Sequence, residues 1–339
     1  AGAAEAAVRA FAPEAVLYRP LPDVPHLHAL AMDLLGPGGP PFAIWVMDDW
    51  LARLAAEEPG RHPAMQADLA RLAAGAAMRL AISDAMARAL EVDHGVPFAA
   101  LANGVDPADW PRPHRHRPGP LLVRNAGGLA ATMTRASVLR IARAVETLAR
   151  DGVPIRFEIA TRIKIPEIIE AFKPFRHTRV EYTSRPQADY FAWLAGADVT
   201  LIAYNFDPVS TADVRHSMAN KMPECLASGS VLLAHGPEGL ATLDYLAAQD
   251  AAIVVTRDSD SAVAEALRRL QADPARRAQI AARGRLLAFA RHDLRTRRET
   301  VRLYMTEVAR GGAATVPAAG AAAERDAALR ERAQLRAHF

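Results

Sequence analysis

Along most of the chain, short runs of consecutive apolar residues recur between longer amphipathic stretches, which predicts strands and helices in turn. Residues 1–12 read as a helix, and Ala15 to Arg19 as a short buried strand stopped by Pro20. Asp23 is a candidate cap for the next helix, with Pro25 in its first turn. Pro41 to Met47 is a continuous apolar strand that ends at Asp48-Asp49-Trp50. A helix over 62–76 feeds another strand, Met78 to Ser83, and Ser83 or Asp84 caps the helix that follows. Strands apolar throughout, rather than at every second residue, predict a parallel sheet covered on both faces.

Asn103-Gly-Val-Asp106 and the Pro- and His-rich run Trp110 to Pro120, which holds His114 and His116, break this pattern as a linker does. The alternation then resumes with strand Leu121 to Asn125, a Gly127-Gly128 turn and a helix from about Arg135. Strand Ile155 to Ala160, helix Pro166 to Phe172, strand Arg179 to Tyr182 and a helix near Ala188 to Leu194 follow. Strand Asp198 to Ala203, the segment Ser217 to Gly229 and strand Val231 to His235 complete it. The expectation is an α/β chain of two Rossmann-like, doubly wound domains. The first covers 1–108, with helices near 290–310 packing back on it, and the second covers 109–289. Residues 311–339 form an Ala/Gly-rich accessory tail with a charged helical end. The chain starts without Met on an Ala-rich helix, so a missing upstream segment and an incomplete first domain are expected.

Composition narrows the function classes. Lys plus Arg number 41 against 38 Asp plus Glu, too even a balance for a polybasic nucleic-acid surface. The single cysteine, Cys225, excludes a disulfide within the chain and a cysteine-rich metal site, and fits a reducing compartment, with the cytoplasm as the default. No run of eighteen apolar residues occurs, so any membrane contact is peripheral, at the inner face. No nucleophile elbow, P-loop lysine or metal-ligand spacing is present, which removes hydrolase and kinase readings.

The most informative segment is Ser217 to Gly229. Pro223 fits only a first helical turn and Gly229 suits the left-handed position after a helix end, so a short helix starts near Ala219 to Met222. The backbone around Ser217, Ala219, Asn220 and Lys221 would then offer amides and a positive dipole end to a pyrophosphate. One turn further in, the Glu224 carboxylate suits the two hydroxyls of a ribose. An ordinary capped helix with Glu224 facing solvent satisfies the same pattern.

The order of motifs, more than any one of them, resembles the retaining GT-B glycosyltransferases of family 4, also called group 1. Met222-Pro-Glu-Cys-Leu-Ala-Ser-Gly-Ser-Val-Leu-Leu-Ala234 is similar to that family's donor-binding helix and strand. Ile82-Ser-Asp-Ala-Met86, Asn103-Gly-Val-Asp106 and the Gly127-Gly128-Leu129 turn occur in the family's order, so the likeness spans roughly 80–240. It implies two domains facing a cleft, a nucleotide-diphosphate sugar as donor substrate, no further cofactor and no metal. Two positions depart from the family: His216 stands where many members carry a first glutamate, and Met133 or Thr134 where a lysine follows the Gly-Gly turn.

That leaves Arg135, Arg162 and Lys164 as candidate cations for the departing diphosphate, with a solvated surface charge as the alternative for each. In the first domain, Asp48 and Asp49 are candidates to orient an acceptor or sugar hydroxyl, or else one of them caps the next helix. His26 and His28 follow the first strand, and His26 is the weaker acceptor-side candidate. The expected partners are the donor and a glycan, lipid-linked or protein acceptor, in surface polysaccharide or glycoconjugate synthesis. A sugar-nucleotide epimerase on the same fold and a non-catalytic nucleotide-sugar scaffold remain as rivals.

Overall fold

A computed structural model describes residues 2–21, 23–112, 119–162 and 166–311. The chain divides into two compact units. One comprises residues up to Asn103 with His216–Met218 and the chain from Arg295 onward; the other comprises Gly104–Arg215 and Ala219–Leu294.

In the first unit, α1 (Gly2–Phe11), β1 (Val16–Tyr18), α2 (Pro25–Leu34), β2 (Phe42–Val46), α3 (Trp50–Glu57), α4 (His62–Gly75), β3 (Met78–Ala81), α5 (Asp84–His94) and β4 (Ala99–Ala100) alternate. The four strands pair in parallel in chain order, β1-β2-β3-β4. Along a strand, side chains alternate between the two faces. Ala43 and Trp45 of β2 and Met78 and Leu80 of β3 therefore share one, and they pack with Val301, Tyr304, Met305 and Val308 of the last helix, α14 (Leu294–Ala309). Spacings of three, four and seven residues make those four a single helical stripe. The first sheet is thus covered by a helix that lies more than two hundred residues away in sequence from the strand residues it packs on.

Helix starts follow local chemistry. The Ser83 hydroxyl accepts from the Met86 amide across 3.0 Å and caps α5, which ends at Gly95 in the left-handed conformation. Asp23 does not cap α2. Val24 holds that position, and the Asp23 carboxylate instead receives two hydrogen bonds from Arg53, at 2.9 and 2.7 Å.

The second unit is a doubly wound sheet. Its elements are β5 (Leu121–Ala126), α6 (Arg135–Arg150), β6 (Ile155–Thr161), α7 (Pro166–Phe172), β7 (Thr178–Tyr182), α8 (Gln187–Ala195), β8 (Val199–Ala203) and α9 (Pro208–Val214). Then come α10 (Met222–Ala227), β9 (Val231–His235), α11 (Ala241–Ala248), β10 (Ala252–Val255), α12 (Asp260–Ala272) and α13 (Pro274–Arg291). All pairs are parallel in the order β7-β6-β5-β8-β9-β10, so the winding reverses between β5 and β8. Ligands bind outside the carboxyl ends of strands at such a reversal. Val123, Phe157, Val199, Val231 and Leu233 are fully buried and pack against Ile141, Val145 and Leu148 of α6 and Leu267 of α12. Each buried side chain of this size contributes about 1.5–3 kcal/mol. The unit opens at Gly104, where a side chain would collide with the His292 carbonyl 2.7 Å away, and Val105 bridges to Asp293. His114, His116 and the tail beyond Gly311 lie outside the described residues.

Candidate functional site

A pocket of about 510 Å³ opens in the second unit at the carboxyl ends of β5 and β6. Ala126 ends β5 and leads into Gly127-Gly128; Ala160, Thr161 and Arg162 come from the end of β6. Thr183 and Arg185 follow β7, Tyr190 projects from α8, and Lys221 and Glu224 come from the start of α10. Gly127 has φ +128, a conformation that side-chain-bearing residues rarely adopt, and its amide donates to the Ala160 carbonyl across 3.0 Å. This tight turn lets backbone line the pocket floor.

Lys221 occupies the N-cap position of α10, with Met222 and Pro223 opening the helix as expected. Its ammonium donates to Asn125 Oδ1 across 3.1 Å and to the Ala126 carbonyl across 2.8 Å. Burial pushes its pKa down, opposed by Cys225 and Glu224. Arg185 also reaches the pocket, but its charge is held by Glu181 at 2.7 Å and its guanidinium lies 4.9 Å from the centre of the Trp193 ring. Arg162 is exposed at the rim.

Glu224 is three residues beyond Lys221, which puts both side chains on one face of the helix. Burial pushes its carboxyl pKa up, against the lowering effects of Tyr190, Lys221 and Arg162. The Tyr190 hydroxyl donates to Glu224 Oε2 across 2.8 Å, and burial together with the neighbouring carboxylate keeps that phenol protonated. The wall therefore combines a buried cation, a carboxylate acceptor and the small-residue turn Gly127-Gly128. Such a surface suits a ligand with an anionic centre beside vicinal hydroxyls.

Several residues expected from the sequence lie elsewhere. The Ala219 amide donates to Thr242 Oγ1 across 3.0 Å and so is engaged within the protein. Ser217 is buried and groups with the first unit, and Asn220 is exposed; neither lines the pocket. Arg135 begins α6 and its Nε donates to the Leu129 carbonyl at 3.2 Å, also away from the lining. Lys164 lies outside the described residues.

In the first unit, Asp48 pairs with Arg19 at 2.5 Å. Asp49 sits at the N-cap of α3 without capping it through its side chain, and its Oδ2 lies 2.7 Å from His216 Nδ1. His26 is exposed on α2, whereas His28 is buried between the Tyr18 hydroxyl at 2.9 Å and Asp68 at 3.1 Å.

Sequence reasoning missed Thr183, Arg185 and Tyr190, which reach the pocket from 56 to 63 residues beyond Gly127; no local motif marks them. Among the described residues, no group of three or more His, Cys, Asp or Glu is placed to hold a metal ion, and no helix is long and apolar enough to cross a membrane.

Residues 140–302, from within α6 to within α14, match the family model described as glycosyl transferase-like. No curated protein matches the chain in sequence. Among solved structures, sucrose-phosphate synthase from Thermosynechococcus elongatus is similar at TM-score 0.71 and 12% identity, over 91% of this chain and 77% of that one. The UDP-forming α,α-trehalose-phosphate synthase from Burkholderia vietnamiensis gives TM-score 0.64 and 16% identity, over 91% and 75%. Anabaena HepE, in complex with UDP and glucose, gives 0.66 and 11%, over 89% and 80%. At these identities the likeness establishes the fold.

Proposed function

We propose that this GT-B-fold chain, whose residues 140–302 match the glycosyl transferase-like family model, is a glycosyltransferase that moves a sugar from a nucleotide-diphosphate sugar held in the pocket of the second unit to an acceptor hydroxyl. The observation that carries the donor assignment is the pairing of buried Lys221 with Glu224 on one wall of that pocket. Glu224 accepts from the ribose hydroxyls. Lys221, with Arg162 at the rim, stabilises the diphosphate as the bond to the sugar breaks and negative charge develops on the leaving oxygen.

Lys221 thereby supplies the charge that the family places after the Gly-Gly turn, where this chain has Met133 and Thr134. With that cation in the protein, the reaction needs neither a metal ion nor another cofactor. Retention of configuration follows the resemblance to family 4. The first unit presents the acceptor, with Asp48, Asp49 and His26 as its polar candidates. The acceptor is a glycan, lipid-linked or protein hydroxyl, and the setting is polysaccharide or glycoconjugate synthesis on the cytoplasmic side, at the membrane's inner face.

Because similar structures are UDP-forming or hold UDP and glucose, a uridine diphosphate sugar is the first donor to test. Calorimetry with UDP, GDP and ADP should show binding that Glu224→Ala weakens at least about tenfold, the scale of lost hydrogen bonds to a charged group. If none of the three binds, the donor reading fails. Incubation with donor sugars alone separates the epimerase, which would return an altered sugar nucleotide without acceptor.

A further inference from the structure

Glu224 has two neighbours competing for its carboxylate. Lys221 lies one turn earlier on the same helix, and an ammonium at that spacing attracts a carboxylate toward itself. Tyr190, from α8, instead donates to Oε2 at 2.8 Å. The Tyr190 ring lies 5.7 Å from that of Phe191, and Phe191 stacks at 4.2 Å on Trp110, so the hydroxyl is presented from a packed aromatic group. A carboxylate offers about four acceptor positions. One is taken by Tyr190, which leaves Oε1 and the second lone pair of Oε2 for a ligand.

We propose that Tyr190 is a positioning residue whose hydroxyl holds the Glu224 carboxylate away from Lys221, in the orientation that accepts both hydroxyls of a ribose, and that it thereby sets a preference for ribonucleotides over their deoxy counterparts. The inference rests on the donor reading above. Because the buried phenol stays protonated, it acts as a donor at every working pH. Its withdrawal also releases Glu224 toward Lys221, and so takes charge from the diphosphate side.

The test measures dissociation constants on the full chain for whichever of UDP, GDP and ADP binds tightest, and for its 2′,3′-dideoxy form. Wild type should favour the ribonucleotide by about tenfold or more, the scale of charge-assisted hydrogen bonds. Tyr190→Phe, which keeps the ring, should weaken the ribonucleotide at least about fivefold and leave the dideoxy form within about twofold, so that the preference collapses. In the Glu224→Gln background the same substitution should change the preference no further, because the two residues act as one unit.

If Tyr190→Phe weakens both ligands equally, or leaves the preference intact while Glu224→Gln removes it, Tyr190 is merely structural and this inference falls while the donor reading stands. If wild type binds neither form of any of the three nucleotides, the donor reading falls and takes this inference with it.

Discussion

The Lys221 ammonium donates to the carbonyl oxygen of Ala126 across 2.8 Å, joining the start of α10 to the end of β5. Two of its three donors are assigned, the other to Asn125, and the third is available to a ligand in the pocket. Lys221→Met should therefore weaken binding of a nucleoside diphosphate about tenfold or more while changing affinity for the parent nucleoside far less. Parallel titrations with the two ligands decide it, since general damage to the pocket would lower both alike.

Glu224 makes ligand-free stability and nucleotide affinity respond to pH in opposite directions. Burial raises its carboxyl above the ordinary 4.5, so the folded protein keeps a proton over a range where the unfolded chain has lost it. Stability falls with rising pH wherever the folded state binds more protons. The contribution is thus fully present below 4.5 and lost as pH climbs through the raised value. Glu224→Gln should flatten that part of a melting-temperature profile. The ionised form accepts from ribose, so the wild-type dissociation constant should tighten across the same window; weakening there would count against the assignment.

The Gly127 turn should resist substitution where Gly128 does not. At φ +128, Gly127→Ala costs about 1–3 kcal/mol in backbone strain. The new methyl would meet Lys221 Nζ at 3.7 Å, an ordinary contact, so strain and not collision is the cause. Thermal melts of Gly127→Ala and Gly128→Ala should show a clear loss for the first only, because φ is not positive at Gly128.

His216 and Asp49 form a half-buried pair within the first unit, with side-chain exposures of 34% and 22%. A double-mutant cycle with His216→Ala and Asp49→Ala should return a coupling of about 0.5–1 kcal/mol in stability. Additive effects would show that the 2.7 Å contact contributes nothing measurable.

Much of the second unit was legible because β8 and β9 are buried at every position and read as nearly continuous apolar runs, while β5 and β6 keep Leu121, Val123, Ile155, Phe157 and Ile159 buried despite the polar residues Arg124, Arg156 and Glu158 between them. The four-residue edge strand β10 and the short helix α9 carry weaker patterns and went unread. At the site, Gly127, Gly128 and Glu224 announce themselves through backbone demands and helix position. Lys221 was anticipated through its backbone, whereas its side chain turns into the pocket; a lone lysine within the mostly apolar run Met218 to Ala227 was the available signal. Tyr190 and Arg185 belong to the pocket only because β7 and α8 bring them there. Asp49 was placed correctly at a helix start, but a cap from its side chain gave way to a tertiary partner, His216.

Val308 is fully buried against Ala43, Met78 and Leu80. Val308→Asp would bury an unpaired carboxylate in that cluster, at a cost of several kcal/mol. Unfolding monitored at Trp45 should show the first unit lost at temperatures where the second unit persists.

The same helix imposes an order on biosynthesis. As the chain leaves the ribosome, the first sheet emerges early, but the stripe that seals it, Val301 to Val308, arrives only after the whole second unit. At about 5–20 residues per second, roughly 200 residues of synthesis separate the two, so an apolar face waits ten seconds or longer without its cover. The later-made unit is then the first able to finish folding. Nascent chains arrested before residue 294 should have a protease-sensitive first sheet, and equal protection in arrested and released chains would show that the sheet completes itself alone.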